Sequence, residues 1–272
     1  TPPMIKVMTL DMGNAPSPER LMPHLASLRH SSVDLLCCQS IRHSLEGRGE
    51  HLLTGQLLSR TLGITCSCFA ANRDQGTPSA TGNKTVNGQA TFTGSGVWVL
   101  NSGSFMVGEA GAEEAVQFAL VRKNGVSLLA LNLHLGEGQR AREQQFADLF
   151  AHPLLKDSYG AVVLCADRDA QLTSKQWQAL TNRSNYGLQR NLLASGNGGL
   201  LCLLTARSEP VSIVTLRHSE PGFHQGNDEP LLPGLTMEFE VQRMISDRRN
   251  RPSFPLSFRE QWLGYREHRA FA

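Results

Sequence analysis

The chain has 272 residues, 40% of them hydrophobic and 18% charged, with a formal net charge of +2. That is enough apolar material to bury a full core, while so small a charge gives no independent argument for a nucleic-acid partner. No run of eighteen apolar residues occurs, so no transmembrane helix is expected, and the first residues lack the basic start and apolar block of a signal peptide.

In chain order, residues 4–9 form an apolar run leading into Leu10 and Asp11, the pattern of a buried strand that delivers polar groups to its C-terminal edge. Ser17-Pro18-Glu19 supplies an N-cap, a first-turn proline and an early acid for a helix towards Arg29, with Pro23 kinking or delaying it. A second strand, 33–38, ends in Gln39-Ser40, and Leu53, Leu57 and Leu58 share one face of a helix over 50–62. Residues 76–94, rich in Gly, Thr, Ser and Asn, read as a long loop or irregular hairpin. A strand follows at 96–100.

Residues 128–131 form a strand ending in Asn132-Leu133-His134-Leu135, followed by a helix over 140–155 with Phe146, Leu149 and Phe150 inward. The run 161–165 stops abruptly at Ala166-Asp167-Arg168-Asp169. Trp177 and Leu180 mark a short helix after Thr173, and Asn227-Asp228-Glu229-Pro230 precedes a last strand at 235–241. The sequence shows no internal repeat and no linker, so residues 1–241 read as one domain.

Residues 242–272 form a basic aromatic tail, expected to pack on the same domain. They carry seven arginines, no lysine and three acids, with Phe258, Trp262 and Tyr265 on one helical face. The tail reads as a helix laying its aromatic face on the core, or as a docking segment for an acidic partner. Cys37, Cys38, Cys165 and Cys202 fall within strands, where a free thiol behaves as a small hydrophobe. Cys66 and Cys68 have no second pair at zinc-finger spacing. A reducing, cytoplasmic setting fits this usage. Two sequons, at Asn83 and Asn182, are short enough to be chance matches.

Five strand-edge blocks in this order resemble the endonuclease/exonuclease/phosphatase superfamily, over nearly the whole chain from Ile5 to Val241. The resemblance implies an α+β, four-layer sandwich: two packed, mostly antiparallel sheets with helices on the outer faces, as in deoxyribonuclease I. The Asn-Thr-His-Leu block appears as Asn132-Leu133-His134-Leu135 and the Gly-Asp-Phe-Asn block as Ala166-Asp167-Arg168-Asp169. Other blocks depart. Trp-Asn becomes Leu10-Asp11, and Leu-Gln-Glu, whose Glu is a direct Mg²⁺ ligand in the family, becomes Cys38-Gln39-Ser40. Ser-Asp-His becomes Asn227-Asp228-Glu229, and the Ile-Asp-Tyr acid has no counterpart in 199–204.

Carried over residue by residue, the resemblance implies catalytic roles for His134, Asp167 and Asp169. Asp167 would orient water, and His134 would contact the phosphate or protonate a leaving oxygen. Asp11, Asp228 and Glu229 would serve as metal ligands, and Asn132, Arg168 and His224 would bind substrate, His224 standing in for the lost histidine. Five carboxylates in one cleft require a cation or basic partner, which implies Mg²⁺ or another divalent cation if the set converges. The expected function is a phosphoesterase-like domain with a remodelled metal site that binds a phosphorylated ligand or partner. That ligand would be a small molecule, a lipid headgroup or nucleic acid. Two alternatives stand beside it: an active Mg²⁺-dependent phosphodiesterase or phosphatase using a shifted carboxylate set, and an interaction module acting through the arginine-rich tail.

Overall fold

The computed structural model describes residues 4–13, 25, 32–44, 50–71, 85–157, 159–196, 199–207, 211–219, 224–225, 229–230 and 234–243. The helix expected at 17–29 and the tail lie outside these residues, apart from Leu25 and the last two positions of the final strand. Among the described residues no helix is long and apolar enough to cross a membrane.

The strands are β1 (Met4–Asp11), β2 (Leu35–Ser44), β3 (Thr65–Ala71), β4 (Thr85–Thr93), β5 (Trp98–Val107), β6 (Glu114–Lys123), β7 (Val126–Leu133), β8 (Ala161–Ala166), β9 (Tyr186–Gly196), β10 (Gly199–Ala206), β11 (Val211–Ser219), β12 (His224–Gln225), β13 (Glu229–Pro230) and β14 (Gly234–Arg243). The helices are α1 (Glu50–Leu62), α2 (Gln139–Ala151) and α3 (Ser174–Thr181), with a 3₁₀ turn at Pro153–Lys156. One six-stranded sheet runs β11-β14-β1-β2-β4-β3, the other β5-β6-β7-β8-β10-β9.

The sheets pack face to face. Ile5, Val7, Leu35, Cys37, Met237 and Phe239 of the first meet Val121, Leu128, Ala130, Val163, Cys165, Leu201 and Leu203 of the second in one buried cluster. In β8 all six residues are buried, and in β10 all eight, as expected of strands covered on both faces. On the outer side of the first sheet, Met8, Leu10, Leu36, Cys38 and Phe92 pack with Leu58 of α1. Phe146 and Phe150 of α2 are fully buried and meet Trp177 of α3, the Phe146 and Trp177 rings 5.2 Å apart. The sandwich with outer helices is therefore the architecture the sequence implied.

Two sequence expectations change. Residues 85–93 are not loop but β4, paired with both β2 and β3. Its polar residues concealed it, yet Gln89 and Thr91 are buried inside the sandwich. Gly88 sits where a Cβ would collide with the Ala70 carbonyl, so a glycine is needed there. The helix expected at 140–155 ends at Ala151 and passes through His152 into the 3₁₀ turn that begins at Pro153, since the residue before a proline is steered away from helical dihedrals.

The chain also repeats its wiring without repeating its sequence. β1 and β2 pair in parallel, then α1, β3 and β4 complete the order β1-β2-β4-β3. β7 and β8 likewise pair in parallel through α2, and α3, β9 and β10 complete β7-β8-β10-β9. Parallel pairs send their C-terminal ends to the same side, where ligands of such layered folds gather. The blocks at Asp11, His134 and Asp167 lie at such ends, and Cys38-Gln39-Ser40 lies where the parallel pairing of β2 with β1 stops, inside β2 itself.

Candidate functional site

The site is built where β7 and β8 end side by side, with Leu133 paired to Ala166. One residue past each end stand His134 and Asp167. The carboxylate of Asp167, 1% exposed, faces His134 Nδ1 at 2.7 Å through Oδ2, while its Oδ1 accepts a 2.8 Å hydrogen bond from Leu135 N–H. Arg168 Nε lies 3.4 Å from the same Oδ2, and Nη1 lies 3.8 Å from exposed Glu137. The Asp167 carboxylate, as acceptor for the imidazole, raises the His134 pKa above its ordinary value. Burial opposes this, Asp167 and Glu114 add attraction, and Arg168 opposes it weakly. The imidazole is thus held in one orientation and biased towards its charged form.

Asp169 turns back on its own chain, its Oδ1 accepting from Gln171 N–H at 3.0 Å. Its carbonyl oxygen accepts from Arg142 Nη1 at 2.9 Å, and Arg142 Nε donates to Gly136 O at 3.1 Å. Gln145 adds two bonds to the His134 loop, accepting from Gly136 N–H at 2.9 Å and donating to His134 O at 3.4 Å. Sequence reasoning missed both residues, because an Arg and a Gln on a helix ordinarily face water. Their spacing one turn apart on the face that carries Phe146 and Leu149 was the available signal.

Asn132, expected to bind substrate, is fully buried. Its amide nitrogen donates to Cys38 O and Ala90 O, both at 3.2 Å, and its oxygen accepts from Gln39 Nε2 at 2.8 Å. Gln39 is bonded in turn to Thr9 Oγ1. This amide bridges the two sheets beneath the site rather than opening onto it.

Asp11 ends β1 opposite Gln39. Its Oδ1 accepts from Gly13 N–H at 2.9 Å, and a Cβ on Gly13 would touch both Asp11 Oδ1 and Ser40 Cβ. Asp11 and Ser40 therefore flank one glycine, Ser40 with a left-handed φ of 55°. The chain segments of His224 and Glu229 meet in the short β12–β13 pairing, where His224 pairs with Pro230 and Gln225 with Glu229. Asp228, and the side chains of His224 and Glu229, lie outside the described residues.

A divalent cation needs several converging oxygens. Among the described residues no three His, Cys, Asp or Glu side chains gather closely enough to hold a metal. Both oxygens of Asp167 are engaged and one oxygen of Asp169 closes a turn. The described donor set does not fit a hard cation.

No family model matches the chain, and no curated protein matches it in sequence. Its fold does match solved structures. An endonuclease/exonuclease/phosphatase family protein from Bacteroides thetaiotaomicron aligns over 92% of this chain and 99% of its own, with a TM-score of 0.59 and 12% identity. The endonuclease/exonuclease/phosphatase from Beutenbergia cavernae aligns over 88% and 72%, with a TM-score of 0.58 and 12% identity. The human Nocturnin catalytic domain with bound sulfate anion aligns over 88% and 94%, with a TM-score of 0.58 and 16% identity. The chain has the endonuclease/exonuclease/phosphatase fold.

Proposed function

We propose that this chain binds a phosphorylated ligand or partner at the β7–β8 corner, without the metal-assisted hydrolysis that the resemblance would imply. The observation that carries the reading is the His134–Asp167 pair at 2.7 Å with Arg168 against the same carboxylate. An imidazole biased towards its charged form and a guanidinium flank one acid, and Arg142 brings a further positive charge whose donors go to carbonyl oxygens. Such a corner attracts a phosphoryl oxyanion. Ser40 in place of the carboxylate ligand removes the donor on which the family's metal chemistry depends, and fold alone does not dictate reaction. That Nocturnin's catalytic domain holds a sulfate supports an oxyanion as the ligand for this architecture.

The test is calorimetric titration with bis-p-nitrophenyl phosphate in the presence and absence of Mg²⁺. Saturable binding that is lost in His134→Ala and Arg168→Ala, without release of nitrophenol, is the expected result. Nitrophenol release that requires Mg²⁺ and is abolished in Asp167→Ala would instead establish an active phosphodiesterase. No binding at millimolar probe overturns the proposal.

A further inference from the structure

We infer that Arg142 is the positioning residue of this corner: its guanidinium clamps the loop after β7 to the loop after β8 and so holds His134 against Asp167. The inference deepens the phosphate-binding reading and rests on it for its consequence in ligand binding, though not for its geometry.

Its two acceptors are placed alike. Gly136 O lies two residues past His134, and Asp169 O two residues past Asp167, and each takes one arm of the same guanidinium, at 3.1 and 2.9 Å. A planar fork fixes the separation of two acceptors in a way that a single ammonium does not. The side chain is 9% exposed, so water does not substitute for these bonds. Three residues on, Gln145 grips the first loop again through His134 O and Gly136 N. Phe146, buried on the same helix, anchors the clamp against Trp177. The Asp167 loop is thus tied to the His134 loop by the Leu135–Asp167 bond on one side and by Arg142 on the other.

Arg142→Lys keeps the charge and the aliphatic stem but reaches one carbonyl at a time. The charged groups that bear on His134 are Asp167 and Arg168 from the β8 loop and Glu114 from β6, and none is altered by this substitution. Its readout is the titration midpoint of His134, followed through the imidazole proton resonances, with a thermal melt confirming that the variant is folded. The midpoint is expected to fall by about half a pH unit or more, a roughly threefold weakening of the pair, with diester affinity falling in parallel. Arg140→Lys, on the exposed face of the same helix, is the control and leaves both unchanged. Where Arg142→Lys does not fold, Arg142→Gln, which cannot span both carbonyls, carries the same expectation. A folded variant whose midpoint matches the wild type overturns the clamp. Absence of diester binding in the wild type, with the midpoint shift intact, would sink the proposed function and leave the clamp standing.

Discussion

Gln39 and Asn132, ninety-three residues apart in the chain, meet amide to amide across the two sheets at 2.8 Å. The bond joins β2, the strand that carries Ser40, to β7, the strand that leads into His134, and it lies wholly out of water. Asn132→Ala removes the bonds to Cys38 O and Ala90 O and the acceptor of one Gln39 bond, all in the interior. The expected loss is about 1–3 kcal/mol of unfolding free energy, measured in urea. A double-mutant cycle with Gln39→Ala should return a coupling of about 0.5 kcal/mol or more. A stability equal to wild type, with diester binding abolished, would place Asn132 at the ligand instead.

The His134–Asp167 pair makes stability and binding depend on pH in the same direction. Because the folded pKa of His134 lies above its ordinary 6.5, the pair's contribution is complete below 6.5 and is lost as pH rises through the raised midpoint. The stability difference between wild type and Asp167→Asn should therefore shrink on going alkaline. A diester probe keeps a single charge across this range, so its weakening with rising pH reports His134 rather than the ligand. A difference that is flat with pH would show that the imidazole is not the group involved.

His152 acts with the opposite sign. Its ring stacks on Phe105 with centroids 3.8 Å apart, and its Nδ1 accepts from Leu154 N–H at 3.2 Å. Burial lowers its pKa to about 4, and protonating Nδ1 removes the acceptor. Stability from this group is complete above 6.5 and is lost as pH falls towards about 4. In His152→Phe, which keeps the stack and gives up the acceptor, that part of the acid sensitivity should vanish from a series of melts.

Ser40→Glu tests whether the corner beside Asp11 can be made to take a cation. It returns a carboxylate beside Asp11 across Gly13, where a hard cation would find oxygen donors. Calorimetry with Mg²⁺ and Mn²⁺ should show tighter binding in this variant than in wild type. Equal heats in the two proteins would mean that the remaining donors of that corner are not placed for a cation.

How much of this was legible depended on what each residue reveals without its neighbours. Long apolar runs announced β8 and β7, and an acid or imidazole directly after such a run marked Asp167 and His134, because a buried strand is a strong local pattern. β4 was hidden for the converse reason: Thr85-Val86-Asn87-Gly88-Gln89 looks like loop, and only its pairing with β2 and β3 makes it a strand. Asn132 misled in the same way, since a polar residue at a strand end reads as exposed, and only the opposing sheet shows where its amide is spent. Arg142 carried only the faint mark of sharing a helix face with Phe146 and Leu149. Its function is fixed by two main-chain carbonyls in separate loops, and tertiary pairing of that kind is not encoded in any window of sequence.

β1 pairs with one strand close in the chain and one far from it. Its neighbour β2 begins at Leu35, but on its other flank Met4 aligns with Glu240 and Thr9 with Leu235. During ribosomal synthesis that flank must stand open while more than two hundred residues emerge. Closing so distant a pair is slow, and a nascent chain with an uncovered strand is prone to self-association. Soluble yield in a heterologous host should accordingly respond to growth temperature and to chaperones that shield the growing amino-terminal half.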